Sequence, residues 1–122
     1  MTVREALAAV KTLKPVNYDD QTLLRWLNEL SARAWEDVLS RYGEPEHPGP
    51  PVLTLNEPEA ALPIPYPHDD VYLKWLFAQI DFHNGEYDRY NNSTVVFNAG
   101  FQAFGDSWNR THMPRQDKVI QI

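Results

Sequence analysis

The chain has 122 residues, 43% of them hydrophobic and 23% charged, and a formal net charge of −6. A chain of this length and composition can build one globular domain with a core of its own, so disorder throughout is excluded. The sequence contains no cysteine, which excludes a disulfide framework and a thiolate metal site, and we expect an intracellular origin.

The negative charge lies in one region. Residues 1–43 and 71–122 are each neutral overall, whereas residues 44–70 contain six acidic residues and no lysine or arginine. Tight nucleic-acid binding requires clustered cations that displace phosphate counterions, so this chain is not expected to bind DNA tightly. The start of the chain lacks a signal-peptide pattern and no segment approaches the roughly 18 apolar residues of a membrane span, so we expect no contact with a membrane.

Two helices are predicted in the first third of the chain. Apolar residues at helical spacing predict a first helix near residues 3–14, with the face Val3, Leu7, Val10 and Leu13. Capping residues between positions 17 and 20 precede a second helix, predicted near residues 20–42 and ended by Gly43. Its apolar face is Leu23, Leu27, Leu30, Ala34, Val38 and Tyr42.

Residues 44–67 form a proline-rich, acidic crossover that contains eight of the ten prolines. Proline removes backbone donors and disfavours helix in the preceding residue, so helix is excluded. Val52–Leu55 and Ala61–Ile64 are compatible with a short β-hairpin across Asn56–Glu59, although Pro63 would then have to face a free edge. A crossover of this length is otherwise functional or disordered.

Two further helices are predicted after the crossover. The third, near residues 69–83, begins at Asp69 and Asp70, has little polar face, and is therefore expected at the centre of a bundle. The Asn84-Gly85 turn separates it from the fourth, near residues 86–112. The fourth helix carries an aromatic stripe in 4-3-4-3-4 steps: Tyr90, Thr94, Phe97, Phe101, Phe104 and Trp108. We expect this stripe and Trp75 to be buried together, in preference to forming a ligand groove.

These patterns predict a mainly α fold, a four-helix bundle-like domain over residues 1–112 with a tail at 113–122. No pattern indicates catalysis. His83 and Glu86 share a helical spacing, but Gly85 interrupts it, and His68-Asp69-Asp70 is more typical of helix capping. No serine lies in a nucleophile-elbow pattern and no glycine-rich phosphate loop exists. We therefore expect no enzymatic activity, catalytic residue, metal or cofactor.

One stretch resembles a known family. It runs from Tyr72 to Pro114 and is carried by Asp70-Val71-Tyr72, Gln79-Ile80-Asp81, Asn84-Gly85-Glu86, Arg89-Tyr90-Asn91-Asn92, Phe97-Asn98, Trp108 and His112-Met113-Pro114. This stretch is similar to the small head–tail connector proteins, also called adaptors or head-completion proteins, of tailed bacteriophages. The N-terminal half resembles them in architecture alone.

The resemblance implies a structural protein of the virion neck, made in the bacterial cytoplasm. Such connectors assemble as a homo-oligomeric ring of about twelve copies on the portal and bind the next neck or tail protein. DNA passes through the ring without being tightly bound. The family also implies docking through the C-terminal tail, whose alternation of polar and apolar residues suits addition as a strand to a partner.

The residues that we expect to contact partners lie in the crossover and the tail. They are aliphatic or basic residues that we predict to be exposed: Val52, Leu53, Leu55, Leu62, Ile64, Arg115, Lys118, Val119, Ile120 and Ile122. The alternative function is that of a monomeric helical binding or regulatory protein, which acts through its acidic proline-rich segment.

We predict that the isolated protein binds duplex DNA weakly at physiological salt, because its cations are not clustered in the sequence. Fluorescence anisotropy with a labelled duplex, titrated at two salt concentrations, measures this. Submicromolar, salt-sensitive binding would show that folding gathers cations that the sequence separates.

Overall fold

The computed structural model describes residues 1–14, 17–39 and 52–112. They form four helices: α1 (Val3–Leu13), α2 (Asp20–Asp37), α3 (Val71–His83) and α4 (Tyr87–Thr111). No β-strand occurs in these three ranges. The predicted mainly helical, bundle-like fold is confirmed.

Helix α1 begins with all its free N–H groups satisfied. Thr2 and Glu5 form a reciprocal capping box, in which each side chain accepts from the other residue's backbone N–H. The N–H groups of Val3 and Arg4 donate to the carbonyls of Ala60 and Pro58, at 3.1 and 2.8 Å. The crossover thus supplies acceptors that a helix N-terminus otherwise lacks. Leu13, predicted on the apolar face, is instead 64% exposed.

Helix α2 is capped by Asp19, whose side chain accepts the N–H of Thr22 at 2.9 Å. Hydrogen bonds from Thr22 lower the pKa of the Asp19 carboxyl, because they stabilise its charged form. The helix ends at Asp37, earlier than the predicted residue 42. Val38 leaves the helical conformation and buries its side chain in the core, while the predicted stop at Gly43 lies outside the described residues.

The β-hairpin considered for the crossover is not formed. Its backbone groups bond to other parts of the chain: Leu62 N–H donates to the Met1 carbonyl at 2.8 Å, and Thr2 pairs with Ala61 in an isolated antiparallel bridge. Turns over 54–57 and 57–60 redirect the chain between the two runs. Because the second run bonds to residues 1 and 2 and Leu53 of the first run bonds to Asn28 of α2, the runs Val52–Leu55 and Ala61–Ile64 do not pair with each other.

Helix α3 lies at the centre and contacts α1, α2 and α4. Val71, Tyr72, Leu76, Ala78 and Ile80 are buried, which confirms the central position predicted from the nearly apolar sequence of this helix. The last turn of α3 is less buried than the rest of the helix, since Phe82 is 45% exposed. The turn to α4 passes through Gly85, whose φ of +76° favours glycine.

Helix α4 packs on α3 through the aromatic stripe. Phe97 and Phe104 are buried, while Trp75, Phe101 and Trp108 are partly buried against the same core. Ring centroids of successive members are 5.1 to 6.1 Å apart, from Trp75 through Phe97, Phe101 and Phe104 to Trp108. The predicted contact is confirmed, but full burial is restricted to two members. Phe101 lies under the Arg33 guanidinium, 4.7 Å from its ring centroid.

We predict that Phe104→Ala lowers the free energy of unfolding by about 3–5 kcal/mol, the usual range for a buried aromatic side chain. Phe101→Ala is expected to cost less than half as much, because part of its ring remains in water. Urea unfolding of both variants measures the difference. Equal losses would contradict the burial of the two rings described above.

Candidate functional site

The His and acidic residues considered as ligands have structural contacts. The ring of His83 stacks on Trp26 with centroids 5.1 Å apart, and Glu86 pairs with Arg89 at 2.9 Å. Within 1–14, 17–39 and 52–112, no group of three His, Asp or Glu side chains could hold a metal ion. The polar residues near the α3–α4 turn therefore join elements of the fold.

The acids before α3 do not cap it with their side chains. Asp70 occupies the N-cap position without a side-chain hydrogen bond to the helix, contrary to the capping prediction. The preceding turn makes such a bond unnecessary, since the carbonyls of His68, Asp69 and Asp70 accept the first N–H groups of α3. The Asp69 carboxylate instead binds the Met1 amino group at 2.9 Å, and that of Asp70 lies 3.3 Å from the Lys74 ammonium.

A buried carboxylate joins three helices. Asp81 of α3 is 1% exposed, and its two oxygens lie 2.8 Å from the Lys14 ammonium and 2.6 Å from the donating hydroxyl of Ser93 on α4. A buried charge is tolerated when it is paired and hydrogen-bonded. Sequence reasoning missed this contact, although a lone acid in an otherwise apolar helix was the available signal.

A buried phenol joins α2, α3 and the crossover. The hydroxyl of Tyr72 accepts the N–H of Ile64 at 3.0 Å and lies 3.3 Å from the hydroxyl of Ser31. Tyr72 is fully buried, and this burial raises its pKa to about 12. Since the neutral phenol can donate to Ser31 while it accepts from Ile64, both of its hydrogen-bonding functions are used.

The crossover residues predicted to contact partners fall into two groups. Leu53, Leu62 and Ile64 are buried in the core of this chain, contrary to the exposure expected of them, and their role as partner contacts stays a prediction. The Asn28 side chain explains much of this, because its amide both donates to and accepts from the backbone of Leu53, at 3.1 and 2.8 Å. Val52 is 78% exposed and Leu55 38% exposed.

The predicted contacts in the tail stay predictions. They all lie outside the described residues: Arg115, Lys118, Val119, Ile120 and Ile122. The described chain reaches His112, whose ring stacks on Trp108 with centroids 3.6 Å apart. The last described residue is therefore attached to the end of the aromatic stripe.

An extended exposed surface lies on the outer face of α4. We give this name to the residues within about 60° of Ala99 around the helix, at 100° per residue. They are Asp88, Asn92, Val95, Val96, Ala99, Gln102, Ala103, Asp106 and Arg110, and all nine are exposed. They point away from the buried Phe97 and Phe104. Sequence reasoning concentrated on the aromatic stripe and missed this opposite face, although residues 90–105 contain no charge.

In comparisons with known proteins, no family model, curated protein or solved structure matches this chain. None of α1 to α4 is long and apolar enough to cross a membrane. The surfaces and contacts described above are therefore the basis for assigning a function.

We predict that Tyr72→Phe destabilises the protein by about 1–3 kcal/mol at pH 7, because the buried N–H of Ile64 loses its acceptor. The folded-state pKa of Tyr72 is raised from 10.0 to about 12, so its stabilising effect is complete below pH 10 and declines as the pH rises through 12. This decline amounts to about 2–3 kcal/mol.

The difference in the free energy of unfolding between wild type and Tyr72→Phe should therefore decrease between pH 10 and 12. Urea unfolding across this range measures it, with Tyr87→Phe as a control because Tyr87 is 61% exposed. A constant difference at all pH values would show that ionisation of Tyr72 is not coupled to folding.

Proposed function

We propose that this chain is a structural assembly protein of a tailed bacteriophage, a head–tail connector that links the portal to the next neck or tail protein. It acts in the virion neck as a ring of copies, through contacts with proteins rather than through catalysis. The observation that carries the assembly role is the outer face of α4. An exposed helix face whose centre is uncharged is typical of a surface that another protein covers.

The placement in a phage neck rests on the resemblance of residues 72–114. The positions that carry this resemblance have structural contacts: Tyr72 and Asp81 make buried hydrogen bonds, and Gly85 forms the turn of the α3–α4 hairpin. A connector requires a rigid frame of this kind, so these contacts support the proposal.

The alternative, a monomeric regulator that acts through the acidic segment, has less support. Residues 53, 62 and 64 are buried within the chain, and the carboxylates of Glu59, Asp69 and Asp70 each have an intramolecular cationic partner. Fewer groups are therefore free for a separate ligand than the sequence indicated.

We predict that deletion of residues 115–122 leaves helical content and melting temperature nearly unchanged, because α1 to α4 end at or before Thr111. The same deletion should abolish incorporation into particles that contain the portal encoded in the same genome. Circular dichroism measures the first property, and sedimentation of particles followed by mass spectrometry measures the second.

A chain in which residues 115–122 are replaced by a Gly/Ser segment of equal length is the matched control, since it keeps the length and removes the side chains. It should fold normally and fail to incorporate. Normal incorporation of the truncated chain would make the tail dispensable, and unfolding would make it part of the core. Absence of the full-length chain from portal-containing particles would contradict the proposed function itself.

A further inference from the structure

The outer face of α4 carries three charges, Asp88 in its first half and Asp106 and Arg110 toward its end. Asp88 lies in the first turn of the helix and Arg110 in the last, and no charged residue occurs between Arg89 and Asp106. Val95 and Val96, near the centre, are 68% and 50% exposed. Within 1–14, 17–39 and 52–112, neither Asp88 nor Arg110 has an ion-pair partner. The face therefore offers an apolar centre between two unpaired charges of opposite sign.

The positions of these residues are symmetric about Ala99. Asp88 precedes it by eleven residues and Arg110 follows it by eleven, which is close to three helical turns in each direction, so all three lie on one line along the helix. Asn92 and Asp106 are likewise seven residues from Ala99, and Val95 and Ala103 are four residues from it. Because Asp88 and Arg110 have opposite charges, this face is complementary to itself when the direction of one copy is reversed.

We propose that the outer face of α4 binds the same face of a second copy of this chain, in an antiparallel pair whose two-fold axis passes beside Ala99. Asp88 then lies opposite Arg110 of the second copy at both ends of the contact. Asn92 lies opposite Asp106, where its amide donates to the carboxylate. Val95 packs on the small Ala103 of the second copy, Val96 lies opposite Gln102, and Ala99 allows the helices to approach closely.

The charges on this face determine that the two helices run antiparallel rather than parallel. In a parallel pair, Asp88 would face Asp88, Asp106 would face Asp106 and Arg110 would face Arg110, so every charge on the face would be opposed by its like. The two helix dipoles would also be aligned unfavourably. The antiparallel pair converts both end contacts into attractions and removes the repulsion between the Asp106 side chains.

The pair should be weak and reversible. A contact made by one helix from each copy buries less than the roughly 800 Å² per partner of a stable interface. We therefore expect dissociation in the micromolar range. This pair is distinct from a contact of the proposed ring, because the copies in a closed ring all face the same direction whereas the pair has a two-fold axis. It does not depend on a phage role, since it follows from residues of α4 alone.

The first test uses charge reversal with sedimentation velocity over a wide range of protein concentrations. Asp88→Arg and Arg110→Asp should each weaken dimerisation at least tenfold, because each places like charges opposite one another. The double variant Asp88→Arg/Arg110→Asp should restore wild-type affinity within about threefold, since both pairs are attractive again. Glu29→Arg, which changes an exposed acid on α2, is the matched control and should leave dimerisation unchanged.

Effects on the helix itself cannot produce this rescue. Each reversal places a charge unfavourably with respect to the helix dipole, and in the double variant the two penalties add. Circular dichroism verifies that each variant is folded. Recovery in the double variant therefore reports the contact between copies.

The second test locates the two-fold axis by disulfide formation, which is straightforward because the natural chain has no cysteine. Ala99→Cys should form a covalent dimer on mild oxidation, since residues at the axis approach within the roughly 4.4–6.8 Å between Cα atoms that a disulfide requires. Val95→Cys and Ala103→Cys should each remain monomeric alone and form a covalent dimer when mixed.

Several results would overturn the proposal: a monomer at every concentration, a double variant as weak as the singles, or equal cross-linking of Val95→Cys alone. A monomeric chain whose Ala99→Lys variant fails to enter portal-containing particles would show that another protein occupies the face. That outcome would contradict the second-copy contact and leave the proposed function intact. Dimerisation without any portal association would contradict the proposed function and leave the contact intact.

Discussion

The hydroxyl of Tyr72 holds α2 and the crossover on the central helix α3. A fully buried phenol must use its hydrogen-bonding groups within the protein, and here they meet Ser31 of α2 and Ile64 of the crossover. These bonds fix α2 and residue 64 on the central helix α3. With Ile64 held in the core, the preceding residues extend toward α1, where their carbonyls complete the helix N-terminus. One side-chain oxygen thus connects a proline-rich segment to α2 and α3.

The helices could be predicted from the sequence because each carries its own periodic apolar pattern. The spacing of Phe97, Phe101 and Phe104 identified the stripe that joins α4 to α3. The course of the crossover could not be predicted in this way, because its partners are the Asn28 amide, the Tyr72 hydroxyl and the backbone of residues 1–4. No local pattern encodes such distant bonds. Leu53, Leu62 and Ile64 were therefore assigned to a partner, although they complete the core of this chain.

The inner face of α4 attaches the helix to the core, whereas its outer face is exposed. Its inner face packs aromatic rings on α3, and Ser93 bonds to the buried Asp81, so the helix is held firmly along its length. Its outer face can therefore present Val95 and Ala99 in a fixed arrangement. A rigid helix loses little conformational entropy when it binds, which favours recognition by a partner. The sequence pattern revealed the inner face alone, since aromatic periodicity is conspicuous and a missing charge is not.

Several acidic residues of the crossover and the start of α3 are explained by contacts within the chain, and this makes the crossover a weaker candidate for binding another molecule. Glu59 pairs with Arg4 in the first turn of α1, and Asp69 and Asp70 lie at the start of α3, where negative charge complements the positive end of a helix dipole. These acids are thus placed by the requirements of two helix N-termini. Their charge is partly compensated within the chain, which weakens its attraction for a separate basic ligand. By contrast, Asp88 and Arg110 lack such partners in the described part of the chain. These two charges are therefore available for a contact with another chain on the outer face of α4.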